Sequence, residues 1–201
     1  MEDQENMDGP VVTECTRCPE LVEGRTRIVN GTGPEDAELL IVGEGPGESE
    51  DREGEPFVGR SGAELDEKLR DHGIDREAVR ITNCVRCRPP GNRDPTKEEL
   101  ENCRGYLERE IELVDPELIM TVGKVPSEHL LGRDVAVTKE AGTVEDCRLG
   151  GASRRVLISV HPAAMLYDRS QEETFDATVE QVASLIGAGD GESGQSRLGS
   201  F

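Results

Sequence analysis

The sequence predicts an α/β fold: three layers, α/β/α, around a central, mainly parallel four-stranded sheet. Three observations predict it. Short apolar runs at 38–43, 79–83, 117–123 and 155–161 are each closed by turn-forming residues, as strands buried on both faces are. Helical periodicities fill the intervals between them. The runs recur at a spacing of roughly 40 residues, enough for a crossover helix between parallel neighbours.

The elements follow in order. The first run, Leu39-Leu40-Ile41-Val42, stops at Gly43-Glu44-Gly45-Pro46-Gly47. Pro46 fixes φ there, and the glycines let peptide N–H groups come close to a ligand. The turn lacks the G-x-G-x-x-G and Lys-Ser/Thr signatures of nucleotide sites. A helix is expected over 63–72, with Leu65 and Leu69 on one face. The second strand ends at Asn83. Thr96-Lys97-Glu98-Glu99 reads as a capping box opening a helix to about residue 114, with the apolar stripe Leu100, Cys103, Leu107 and Ile111. A short helix at 126–131 follows the third strand and stops at Gly132. The fourth strand ends at His161-Pro162, and a helix over 172–186 closes the domain. The predicted domain is therefore 13–187, between a disordered acidic lead at 1–12 and a disordered Gly/Ser-rich tail at 188–201. Ligands of such sheets sit beyond the carboxyl ends of the strands, here Gly43-Glu44, Asn83, Gly123 and His161.

Charge is the unusual global property. The 201 residues carry 43 acids against 23 Lys and Arg, a net charge of −20, and the lysines are only 68, 97, 124 and 139. Aromatic content is 2%, and mean hydropathy is −0.57. This pattern predicts adaptation to very high salt, where the Debye length falls to about 3 Å and self-repulsion is screened. No run approaches the roughly 20 apolar residues of a membrane span, and the start lacks a signal-peptide core. A cytoplasmic monomer is expected. The net charge argues against a nucleic-acid partner, but its distribution argues for one: stretches 24–34, 79–93 and 147–167 contain arginines and no acid. A polyanion could land on these gaps in the negative field.

The side chains that carry chemistry are few. Phe57 lies in a polar, glycine-rich loop, Pro56-Phe57-Val58-Gly59-Arg60-Ser61-Gly62, where an aromatic suits stacking on a planar ring. Asn83 can pair a donor and an acceptor with the edge of a base. His161 sits where active sites sit, whereas His72 and His129 fall in helical segments. Cys15-x-x-Cys18 and Cys84-x-x-Cys87 are spaced like metal ligands; Cys103 is on a helix stripe and Cys147 has no near partner in sequence. Four thiolates could hold zinc or an iron–sulfur cluster, and spacing alone does not choose.

In combination, Cys-Thr-Arg-Cys-Pro (15–19), Gly-Arg-Thr-Arg (24–27), Ile-Val-Gly-Glu-Gly-Pro-Gly (41–47), Gly-Glu-Pro-Phe-Val-Gly-Arg-Ser-Gly (54–62), Ile-Thr-Asn (81–83), Arg-Cys-Arg-Pro-Pro-Gly-Asn-Arg (86–93), Cys103 and His161-Pro162 resemble the family-4 uracil-DNA glycosylases, the iron–sulfur type. The resemblance spans about 13–187 in the family's order. It implies a uracil-DNA glycosylase-like fold and a [4Fe-4S] cluster on Cys15, Cys18, Cys87 and Cys103, with Cys84 as a decoy or substitute ligand. It implies uracil-containing DNA as the partner and hydrolysis of the bond between uracil N1 and deoxyribose C1′ after the nucleotide flips out of the stack. Phe57 would stack on uracil and Asn83 would read its O4/N3 edge. Gly43, Glu44 and Gly45 would bound the pocket, and Glu50 would exclude the thymine methyl. His161 would donate to O2 as charge builds on the leaving base. Relatives with Asp at the third turn position use it on water; with Gly45 there, the expectation is that Glu44, Glu50 or Asn92 serves, or that the leaving group alone suffices. Arg60, Ser61, Arg86, Arg88 and Arg93, with Arg25 and Arg27, would hold phosphates. Rival readings are a glycosylase of broader deaminated-base scope and a zinc or iron–sulfur DNA-binding protein without turnover.

Overall fold

The computed structural model describes residues 6–187. Its centre is a five-stranded sheet in the order β4-β3-β5-β7-β6, built from β3 (Leu39–Gly43), β4 (Arg80–Asn83), β5 (Leu118–Val122), β6 (Val144–Leu149) and β7 (Ala152–Ser159). The first four in that order are parallel. Helices α3 (Arg60–Asp71), α4 (Lys97–Val114), α5 (Lys124–Leu131) and α7 (Ser170–Leu185) connect and cover them, with short α1 (Pro19–Gly24), α2 (Glu48–Glu53) and α6 (Val137–Glu140).

Side-chain alternation makes the layers. Leu39 and Ile41 face Leu65 and Leu69 of α3 and Phe175, Val179 and Val182 of α7. Leu40 and Val42 face Leu107 and Ile111 of α4 and Leu130 of α5. The capping box at Thr96 forms as the sequence predicts: the Thr96 hydroxyl accepts from Glu99 N–H at 3.2 Å, and Glu99 accepts from Thr96 N–H at 2.7 Å.

The four-stranded expectation is corrected to five. Val144–Leu149 is an antiparallel edge strand, half polar and with only Leu149 buried, so it carries no buried apolar run. It turns into β7 through Gly150 and Gly151, with φ of 54° and 79°, the pair of left-handed residues a two-residue hairpin requires. The disordered lead is corrected as well. Two short strands, β1 (Met7–Asp8) and β2 (Val11–Val12), form a ribbon. Asn30 ties it down: its Oδ1 accepts from Val12 N–H at 2.8 Å, and its Nδ2 donates to the Val12 carbonyl at 3.1 Å. Residues 1–5 and the tail expected at 188–201 lie outside the described residues. Among those described, no helix is long and apolar enough to cross a membrane.

Candidate active site

The chain passes from β3 through α3 to β4 on one side, then crosses to β5 on the other, so the strand order reverses at β3. A cavity of about 190 Å³ opens there, at the carboxyl ends of the strands. Register builds it. Gly43 pairs with Asn83, and the pairing runs on past the sheet: Cys84 N–H donates to the Gly43 carbonyl at 2.9 Å, and Val85 N–H to the Glu44 carbonyl at 3.1 Å. The glycine turn and the carboxamide are therefore held side by side. Position 43 has no room for a side chain. A Cβ there would lie 2.6 Å from the Phe57 ring and against Asn83 Oδ1.

Phe57 is buried with φ of +57°, a left-handed conformation that a bulky residue adopts only under constraint. Such a residue costs on the order of 1–3 kcal/mol, carried by its surroundings. Gly62 makes the loop possible, because a Cβ there would collide with the Phe57 carbonyl. The Phe57 ring lines the cavity and stands 5.9 Å from the His161 ring, inclined by 31°.

His161 caps the 3₁₀ turn Pro162–Leu166: its Nδ1 accepts from Ala163 N–H at 3.1 Å. Burial lowers its pKa, against a smaller raising effect from Glu50. A neutral ring whose Nδ1 is an acceptor carries its proton on Nε2, leaving that nitrogen as a donor. Glu50 accepts from Gly47 N–H and Gly59 N–H, each at 3.0 Å, so one carboxylate clamps the glycine turn to the Phe57 loop. Glu44 is half-buried in the cavity wall, and burial, with Asp94 beside it, pushes its pKa up to about 7. Gly45 and Ser61 also line the cavity.

Other expected residues fall elsewhere. Asn92 is exposed, outside the cavity wall, with Oδ1 accepting from Arg88 Nε at 2.7 Å. The expectation that it acts on water is corrected. Arg86 is corrected as a phosphate ligand: it is 1% exposed and paired with Glu110 at 2.5 Å, and Glu110 also holds buried Arg80 at 2.6 Å. Two of the four arginines in the acid-free stretch at 79–93 thus share one carboxylate from α4. Arg93 donates to both oxygens of Glu99, at 2.8 and 2.7 Å, and to Glu20, while Arg88 also faces Glu48. Arg60, at the start of α3, is exposed.

The cysteines divide. Cys15, Cys18, Cys87 and Cys103 line one cavity, whereas Cys84 packs with Leu40, Val42 and Leu107 in the core. Arg25 Nη1 donates to Cys87 Sγ at 2.9 Å, and its Nη2 to the Cys15 carbonyl at 2.8 Å. Asn102 Nδ2 lies 3.6 Å from Cys18 Sγ. Arg86 lines the same cavity, and its Nε and Nη1 are buried without a hydrogen-bond partner among the described residues. Burial pushes the Cys103 thiol up to about 12 and raises Cys18 and Cys87; the Arg25 hydrogen bond opposes the rise at Cys87. Among the described residues, no three His, Cys, Asp or Glu side chains gather closely enough to hold a single metal ion.

Sequence reasoning missed Glu110, Asp94, Asp51 and the thiol contact of Arg25. Glu110 left a signal. It continues the helix face of Cys103 and Leu107, and a carboxylate on a buried face needs a cation. The others left none, because their partners are 10 to 62 residues away in sequence.

The arrangement defines an α/β protein with a small cavity beyond its strand ends, lined by an aromatic ring, a carboxamide and a neutral imidazole. The family model for the uracil DNA glycosylase superfamily matches residues 30–183. The type-4 uracil-DNA glycosylase of Thermotoga maritima is 45% identical, over 80% of this chain and 82% of its own. That of Archaeoglobus fulgidus is 37% identical, over 88% and 90%. A type-5 enzyme of Pyrobaculum aerophilum is 29% identical over 87% of each. The chain belongs to the uracil DNA glycosylase superfamily, within its type-4 family.

Proposed function

We propose that the protein is a DNA-repair glycosylase that hydrolyses the N-glycosidic bond of uracil in DNA and leaves an abasic site. The observation that carries this reading is the meeting of Phe57, Asn83, His161 and the 43–47 turn at one small cavity. A uracil flipped into it stacks on Phe57. The Asn83 carboxamide pairs with N3–H and O4; cytosine, with an exocyclic amine at that edge, inverts the pattern. The His161 Nε2–H donates to O2 as the base departs with negative charge, the place where a preorganised donor acts most strongly. The sugar becomes cationic and water attacks C1′. Glu44 is the group assigned to that water or to the sugar charge, since it lines the cavity and Asn92 does not. Glu50 fixes the wall that excludes a methyl at C5.

The cysteine cavity fits an iron–sulfur cluster. Four thiols and Arg86 line it, and the buried Arg86 Nε–H and Nη1–H, without a hydrogen-bond partner among the described residues, suit the several sulfur acceptors and negative charge a cluster would bring. Cys15, Cys18, Cys87 and Cys103 would hold the cluster, with Arg25 bonded to one ligand. When bound it would cross-link the N-terminal arm, the 84–93 loop and α4. Binding of such a group would displace the protons that burial favours on Cys18, Cys87 and Cys103. We further assign the enzyme to the cytoplasm, as a monomer adapted to high salt, on its acidic, lysine-poor composition.

The test is excision from a single-uracil oligonucleotide in molar KCl, with cytosine, thymine and hypoxanthine oligonucleotides beside it. Alkali-labile cleavage confined to uracil supports the assignment. Cleavage of hypoxanthine at a comparable rate would widen it, and no cleavage by iron-replete protein would overturn it.

A further inference from the structure

Helix α2 is a single surface turn and a half, Glu-Ser-Glu-Asp-Arg-Glu, yet Asp51 within it is only 5% exposed. A buried carboxylate needs hydrogen bonds. Asp51 finds them on the segment that touches the cysteine cavity. Thr26 N–H donates to its two oxygens at 2.9 and 3.0 Å, and the Thr26 hydroxyl donates to the carboxylate and, at 3.0 Å, to the Asp51 carbonyl. The preceding residue is Arg25, whose guanidinium grips Cys87 Sγ and the Cys15 carbonyl. The residue before Asp51 is Glu50, the clamp between Gly47 and Gly59. Two adjacent carboxylates on one helix thus hold opposite sides, one the cavity wall and one the cysteine segment.

We propose that Asp51 is a positioning residue for uracil excision: it ties the cysteine segment, through Thr26 and Arg25, to the helix that carries Glu50. The inference rests on the uracil reading. Its physical content is that the strained Phe57 loop keeps its geometry only while α2 is fixed, and α2 is fixed from the cysteine side. Loosening Asp51 lets Glu50 move, and with it Gly47, Gly59 and the ring between them. Displacement by about 1 Å of groups that position a substrate can cost a hundredfold in rate.

The experiment compares wild type, Asp51→Asn, Asp51→Glu and Thr26→Val in single-turnover excision. Iron content, visible absorption, active-site titration and half-saturating oligonucleotide concentration are measured on the same preparations. The expected result for Asp51→Asn is full iron, an unchanged active fraction, half-saturation within about twofold and a rate lowered about ten- to a hundredfold. Thr26→Val should show a smaller loss, and Asp51→Glu partial recovery. A residue that merely stabilises the fold would instead lower the active fraction and leave the rate of the remainder unchanged, which overturns the proposal. So does an Asp51→Asn rate equal to wild type, or a loss that tracks lost iron. Should Asp51→Asn not fold, the Thr26→Val rate decides. A wild type that releases no uracil overturns the uracil reading and the tie together; a wild type that does, beside an equal Asp51→Asn, overturns the tie alone.

Discussion

Replacing His161 with Ala probes the chemistry most directly. The ring is buried, its Nδ1 is committed to Ala163 N–H at 3.1 Å, and its pKa lies below the ordinary histidine value. The ring is therefore neutral at neutral pH, and in the proposed role its Nε2–H is the donor to the leaving base. A preorganised donor of this kind contributes about 2.7–4 kcal/mol in the transition state. At about 1.36 kcal/mol per tenfold, that is a loss of about 100- to 1,000-fold. The substitution also strips Ala163 N–H of its acceptor, at about 1–3 kcal/mol of stability. A folded domain tolerates that, and thermal unfolding will register it separately. The assay is single-turnover release from a single-uracil oligonucleotide with enzyme in excess. The rate should fall by the stated factor, half-saturation should change little, and the deficit should be constant above neutrality. A rate within threefold of wild type in folded protein would refute the leaving-group role. A loss confined to half-saturation would refute it equally, since it would mean ground-state binding alone.

Three further outcomes are expected. Glu44, with its pKa raised to about 7 by burial and Asp94, is protonated in acid, so excision should rise with pH up to about 7 and then level. Glu44→Gln should remove that inflection; a surviving inflection would assign it to another group. Because the folded-state pKa is raised, the stability this carboxyl contributes is full below about pH 4.5 and is lost as pH rises through about 7. Gly43→Ala puts a Cβ 2.6 Å from the Phe57 ring and against Asn83 Oδ1, and should cost at least tenfold in excision together with about 1–3 kcal/mol of stability from overpacking, read by paired kinetic and thermal assays. Glu110→Gln leaves Arg80 and Arg86 charged and buried without their carboxylate, and should destabilise by about 3–5 kcal/mol, seen as a fall of roughly 10 °C in melting temperature.

The sequence by itself determined the parallel strands, the helices between them and the strand ends where a site would form. Those follow from local rules: apolar runs for buried strands, a 3.6-residue stripe for helices, Gly and capping boxes for their ends. It also singled out Phe57, Asn83 and His161, because an aromatic, a carboxamide and an imidazole at strand ends or in glycine-rich loops stand out in an acidic chain with 2% aromatics. The edge strand at Val144–Leu149 was not legible as a buried strand, since its outer side is wet and polar, although Gly150-Gly151 marked its turn. Tertiary structure alone decided what the arginines and cysteines do. Arg86 and Arg88 are two residues apart in one acid-free run, yet one is sealed against Glu110 and the other reaches the surface. Cys84 and Cys87 form a metal-like pair in sequence, yet the backbone hydrogen bonds from Cys84 and Val85 to Gly43 and Glu44 carry the pairing on past β4, and Cys84 faces the core while Cys87 lines the cysteine cavity. Charge and thiol chemistry depend on which distant group arrives within about 3–4 Å, and that is fixed by sheet order and register, not by neighbours along the chain.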